Sequence, residues 1–331
     1  MVHPGGSATE GSSGTRGAVT AWASTSVTLR RLAWLDVGVH TVEATGIDVA
    51  FESFGPEGGV PMLLVMGLGT QMIAWPDALC ADLADRGYRV VRFDNRDVGL
   101  STHLTELRAP SPVDTLLRRE PPPYTIDDMA EDAAGLMDGL GWGDAHVVGA
   151  SMGGFIAQSM ALRHRRRLRS LMLVMTSTGS RRVGKPTPRL AGRLNARRGV
   201  TDRTSAQSVA VETFRAIGSP GYPFDEEYVA DLAGRSWDRA HDPGGYLRQL
   251  AAILAQPDRT AALQRLTIPA TVIHGLDDPL IAPSGGLALA RALRGSRFVG
   301  YSGMGHDLPR ELWSDMADQI QLLADRADAR S

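Results

Sequence analysis

The sequence predicts an α/β protein with a mostly parallel central sheet, helices on both faces and an inserted helical cap. Three observations carry this. Short continuous apolar runs, such as residues 62–66 and 145–149, have the composition of strands buried on both faces. Helical patterns alternate with them, as parallel strands need crossover connections. Residues 176–266 break that rhythm and hold no buried-strand signature.

Taken in order, residues 1–40 are expected to form a flexible tail. Their first 26 positions are rich in Gly, Ser, Thr and Ala and hold almost no large apolar side chain. Arg30-Arg31 bears a faint likeness to a twin-arginine export signal. Asp36 interrupts the apolar segment behind it, and no small-residue cleavage site follows, so a cytoplasmic location is expected. Residues 45–52 alternate with period two, the mark of a hairpin-forming strand. A strand at 62–66, a helix at 76–85 and a strand at 88–93 follow. Residues 126–140 form an amphipathic helix that Thr125 can cap, with Asp127 and Asp128 in its first turn and Gly141 at its end.

Next come a strand at 145–149, a helix at 152–162 and a strand at 171–174. Strands at 270–273 and 297–301 and a helix at 311–327 close the chain. The core is therefore expected over 41–175 and 267–331. Residues 176–266 are the cap, with helical patterns at 206–217, 225–236 and 246–254 separated by Pro and Gly.

Composition excludes several classes of function. A formal net charge of −2 offers no bulk attraction to nucleic acid or a membrane surface. No apolar run approaches the roughly 18 residues of a membrane span. Cys80 is the single cysteine, which rules out an intrachain disulfide and a thiolate zinc cluster; its helical setting predicts a small buried hydrophobe. The basic stretch Arg181, Arg182, Lys185, Arg189, Arg193, Arg197, Arg198 and Arg203 is read as a solvated face, with recognition of an anion as the alternative. The cations at 163–169 complement the end of the preceding helix.

The chemistry centres on Gly149-Ala150-Ser151-Met152-Gly153. Strand before and helix after make this Gly-x-Ser-x-Gly a nucleophile elbow. A serine at the apex of so sharp a turn has strained angles and near neighbours, so glycine is needed two residues before and two after. A hydroxyl needs an oriented base to become a nucleophile. Of the histidines after Ser151, His164 falls among arginines, His241 lies in the cap and His274 ends an apolar strand, where a hydrogen-bonded core imidazole is expected. His306, in the loop Gly303-Met304-Gly305-His306-Asp307, is the candidate base. The acid is sought after the 270–273 strand, where Asp278 is chosen over Asp277 because the matching motif places its acid three residues beyond the glycine. Two N–H donors complete the site as an oxyanion hole, from Met152 and from Leu68 in Gly67-Leu68-Gly69-Thr70. No metal-binding residues are assigned.

With those residues in place, positions 42–324 resemble an α/β-hydrolase-fold serine hydrolase. Val65-Met66-Gly67-Leu68-Gly69-Thr70-Gln71, Phe93-Asp94-Asn95-Arg96-Asp97-Val98-Gly99-Leu100-Ser101 and Gly149-Ala150-Ser151-Met152-Gly153-Gly154 together resemble the aclacinomycin methylesterase-like branch. Two positions depart from it: Asp97 stands where many relatives have glycine, and Met66 where many have histidine. The resemblance implies a cofactor-free carboxylesterase that cleaves a small to medium ester through an acyl-enzyme. Its expected partner is a small-molecule ester, with no nucleic acid and no membrane; composition leaves a homo-oligomer open. Serine at position 151 disfavours dehalogenase or epoxide-hydrolase chemistry, which would call for aspartate. Lactonase, thioesterase, carbon–carbon hydrolase or perhydrolase activity on the same triad stays open, as does a low-turnover ligand-binding or signalling homologue.

Overall fold

A computed structural model describes residue 1 and residues 35–117, 120–191 and 200–329. The chain divides into two units, Met1–Ala33 and Trp34–Ser331, and every strand and helix described belongs to the second. Strands β1 (Leu35–Ala44), β2 (Ile47–Phe54), β3 (Val60–Val65), β4 (Tyr88–Phe93), β5 (Ala145–Ala150), β6 (Leu168–Val174), β7 (Ala270–Gly275) and β8 (Arg297–Tyr301) form one sheet, in the order β1-β2-β4-β3-β5-β6-β7-β8. The β1–β2 and β2–β4 pairs are antiparallel and the rest are parallel. This is the predicted α/β class.

Pleating sorts the strand residues between two apolar layers. Leu63, Val65, Val147 and Leu171 face one layer, which α3 (Ile126–Gly139) and α4 (Met152–Arg163) cover with Ile126, Met129, Ile156 and Met160. Met62, Leu64, Val148 and Met172 face the other, covered by Leu79 and Leu83 of α1 (Asp77–Asp85) and by Met316 and Ile320 of α11 (Trp313–Asp328). Each fully buried side chain of this size contributes about 1.5–3 kcal/mol relative to exposure. Thr125 and Asp128 form a reciprocal capping box at the start of α3.

The hairpin strand expected at 45–52 is the second of a pair turning through Thr45 and Gly46. Its partner β1 starts at Leu35, inside the segment expected to be tail; the rest of that segment, residues 2–34, lies outside the described residues. Between β6 and β7 the described residues form helices joined by loops, with no strand among them. These are α5 (Pro188–Ala191), α6 (Arg203–Ile217), α7 (Glu226–Arg239), α8 (Pro243–Ala255) and α9 (Thr260–Leu263). The short helices α5 and α9 of this segment, and α2 (Pro112–Leu117) and α10 (Ser284–Ala292) elsewhere, were not predicted. Among the described residues no helix is long and apolar enough to cross a membrane.

Candidate active site

Ser151 ends β5 and caps α4 with φ +54° and ψ −117°, a left-handed conformation costly for a side-chain-bearing residue. Its own N–H donates to Val174 O (2.9 Å) and its carbonyl accepts from Gly154 N–H (3.0 Å), so both neighbours hold the turn. A Cβ at Gly149 would stand 2.3 Å from Gly153 O, and one at Gly153 would stand 2.1 Å from Val65 O. Close backbone approach on both sides is what demands glycine here.

His306 and Asp278 converge on this serine from two later loops. His306 Nδ1 lies 2.7 Å from Asp278 Oδ2, and Nε2 lies 3.0 Å from Ser151 Oγ. A carboxylate only accepts, so Nδ1 carries the proton and Nε2 is left to accept from the hydroxyl. The other oxygen, Asp278 Oδ1, accepts from Leu280 N–H (2.8 Å) and Ile281 N–H (2.9 Å), so the carboxylate is fixed from both sides. His306 N–H donates to Ile217 O at the end of α6 (2.7 Å), and Gly305 N–H to Ser219 Oγ (2.9 Å). Asp277, the alternative acid, instead accepts from Gly303 N–H (2.7 Å) and shapes the histidine loop.

Facing them is the 67–70 loop after β3. A Cβ at Gly67 would come within 3.2 Å of Ser151 Cβ, so the loop passes directly beside the serine. Leu68 follows, and Met152 occupies the first position of α4, where no intrahelical acceptor exists for its N–H. Asn95 Nδ2 donates to Met66 O (3.0 Å), tying the loop's entrance to the 94–101 turn.

That turn links the sheet to the helical insertion. Asp94 accepts from Met72 N–H (2.6 Å), Leu100 N–H (2.9 Å) and Arg239 Nη2 of α7 (2.6 Å). Asp97 adopts φ +70°, which explains why glycine suits the position and why aspartate, tolerant of that region, can replace it. Its carboxylate accepts from Arg248 Nη2 (2.7 Å) and Nε (2.8 Å) of α8 and from Tyr124 Oη (2.6 Å). Burial opposes the Asp97 charge, but the bonds from Arg248, Tyr124 and Leu104 N–H outweigh it and hold the carboxyl below its usual range. These insertion arginines were missed in sequence, because a helical pattern reveals a face and not its partner.

The other candidates have structural places. His274 is fully buried and its Nε2 lies 2.8 Å from Ile281 O; burial lowers its pKa and keeps it neutral. His164 pairs with Glu131 (3.0 Å), as does Arg163 (2.6 Å), while His241 stacks on Trp237. Burial pushes the Cys80 thiol up to about 12, as a core hydrophobe requires. Asp97, His103 and Asp242 bring potential ligand atoms within 4.8 Å of one another. Arg248 Nη2 donates to both carboxylates at 2.7 Å, so that cluster already has its cation. Arg189, Arg193, Arg197 and Arg198 of the basic stretch lie outside the described side chains.

The sequence profile of the alpha/beta hydrolase fold matches residues 60–309. The chain is 29% identical over 290 residues to rhodomycin D methylesterase DnrP of Streptomyces peucetius, covering 81% of this chain and 92% of that one. It is 26% identical over 247 residues to 3-oxoadipate enol-lactonase 2 of Acinetobacter baylyi (74% and 82% covered). Among solved structures, the enol-lactonase from Burkholderia xenovorans LB400 superposes with a TM-score of 0.67 at 26% identity, covering 86% of this chain and 99% of its own.

Proposed function

Because the chain belongs to the α/β-hydrolase fold family, we propose that it hydrolyses carboxylic esters through Ser151, His306 and Asp278. The observation that carries this reading is the unbroken line from Asp278 Oδ2 through the imidazole to Ser151 Oγ, 2.7 and 3.0 Å long. His306 Nε2 takes the hydroxyl proton as Ser151 Oγ attacks the ester carbonyl, and Asp278 stabilises the imidazolium that forms. The N–H groups of Leu68 and Met152 receive the developing oxyanion. His306 then protonates the leaving alcohol. Water, deprotonated by the same imidazole, attacks the acyl-enzyme and releases the acid. Every step uses side chains and backbone already present, so no cofactor or metal is assigned.

Residues 176–266 serve in this reading as a cap over the carboxyl edge of the sheet, where α/β proteins place their sites. The ties from Ile217, Arg239 and Arg248 to the histidine loop and the 94–101 turn support that role. The ester in this reading is small to medium in size. A lactone is a cyclic ester open to the same attack, and the enol-lactonase relatives make it a natural member of any substrate panel.

The test is turnover of p-nitrophenyl esters of graded chain length, with a lactone beside them, by the wild type and Ser151→Ala. Activity in the wild type and a loss of at least ~10⁴-fold in the variant are expected. Activity surviving in Ser151→Ala overturns the elbow assignment, and a folded wild type inert across the whole panel overturns the reading.

A further inference from the structure

The 67–70 loop is tied at two points, and the second tie comes from the insertion. Gln249, on α8, is fully buried. Its Oε1 accepts from Gly69 N–H at 2.7 Å, and its Nε2 donates to Arg96 O at 2.7 Å. Both ends of one amide are thus used to brace the loop against the 94–101 turn. Within itself the loop has less to hold it. Thr70 N–H reaches Gly67 O at 3.3 Å and Thr70 Oγ1 reaches Leu68 O at 3.1 Å. Glycine stands on both sides of Leu68, and Gly69 adopts φ +59°, so the peptide planes here are free to rotate unless something outside fixes them.

We infer that Gln249 is a positioning residue for the oxyanion hole: by gripping the Gly69 N–H it sets the Leu68–Gly69 peptide plane and, through Leu68 Cα, the direction of the Leu68 N–H. The inference rests on the ester-hydrolase reading above and adds a residue of the insertion to it. Gln249 touches no reacting atom. It acts by keeping a donor aimed before charge develops, which is where such donors gain their advantage over water. The insertion then does more than cover the site: helix α8 holds one wall of the hole in register.

The experiment compares Gln249→Leu and Gln249→Glu with the wild type and Ser151→Ala on a short p-nitrophenyl ester, reading kcat, KM, the pH profile of kcat/KM and thermal midpoint. Outright removal of an oxyanion donor costs about 10²–10³-fold in kcat, so a donor left present but loosely aimed should cost roughly 10–100-fold. Gln249→Leu is expected to show that loss in kcat with KM nearly unchanged. Its pH midpoint should match the wild type, because His306 and Asp278 are untouched. Burial favours the neutral acid of Gln249→Glu, which can accept from Gly69 N–H and donate to Arg96 O, so most of kcat should return. A folded Gln249→Leu enzyme with wild-type kcat overturns the inference, as does a loss that appears only in KM or one that Gln249→Glu fails to recover. If Gln249→Leu does not fold, Gln249→Met takes its place. Full activity in Ser151→Ala would instead strike the ester-hydrolase reading itself, so the two failures are distinct.

Discussion

The sheet and the insertion are held by different forces. Leu63, Leu64, Val147 and Leu171 are fully buried in the sheet, and apolar burial on both faces fixes their strands. Helix α7 buries only Gly234, and α6 only Val211 and Ile217. What joins α6 and α7 to the core is directional: Ile217 O accepts from His306 N–H, Arg239 bonds Asp94, and Gln71 Nε2 bonds the carbonyls of Ser236 (2.7 Å) and Ala240 (3.1 Å); α8 adds Arg248 on Asp97 to the burial of Ala251 and Ala252. Apolar burial tolerates small shifts, whereas a buried ion pair or hydrogen bond fixes one register and is costly when half of it is lost. The difference teaches that the loops carrying the proposed triad belong to the core, while polar bonds from the insertion tie down the loops around them.

The largest effect should come from the core side of that division. Asp278→Asn is expected to lower kcat by ~10⁴-fold with the fold intact, because the imidazole loses its correct tautomer. Asp277→Asn should change kcat by only a few-fold. Steady-state kinetics on both variants settles the choice of acid, and equal losses would reverse it.

Next comes the joint between the regions. Arg248→Met leaves the buried Asp97 carboxylate without its cation, and urea denaturation should show a loss of about 3–5 kcal/mol. Arg203→Ala breaks only the exposed pair with Asp238 and should cost less than ~1 kcal/mol. If the two substitutions cost the same, the joint is not set apart from ordinary surface pairing.

The smallest effect sharpens the comparison through pH. His146, on β5, lies 2.8 Å from Ser170 Oγ, and burial lowers its pKa to about 4. The unfolded chain binds this proton near pH 6.5 while the folded chain refuses it until pH 4 is approached. Its contribution is therefore complete above about pH 6.5 and falls by up to about 3 kcal/mol on the way to pH 4. Over that window the Asp97 carboxyl stays ionised, so the core should weaken before the Arg248 joint does. Stability measured against pH should flatten in His146→Asn; an unchanged slope would remove His146 from the account.

Much of the fold was legible because buried parallel strands leave continuous apolar runs, as at 62–66 and 145–149. The half-exposed edge strand β1 leaves no such run and merged with the tail. Helix α10 was hidden by Gly285 and Gly286, poor helix formers that are present because a Cβ would stand 2.9 Å from Ser177 Cβ and 2.4 Å from His274 Nδ1. At the site, Ser151 announced itself by local geometry and His306 and Asp278 by their loops and chain order. Arg239, Arg248 and Gln249 did not. Their partners lie at separations of 145 (Asp94), 151 (Asp97) and 180 residues (Gly69), and no local pattern encodes such contacts.

The crowding at the elbow also divides what protein engineering can alter. The flanks at 149 and 153 have no room for even a methyl group, yet the side chain at 151 points out of that crowd toward His306. A cysteine or aspartate at the apex would inherit the same turn without the scaffold being rebuilt. The side chain at this position is thus a replaceable part, whereas the turn that presents it is not.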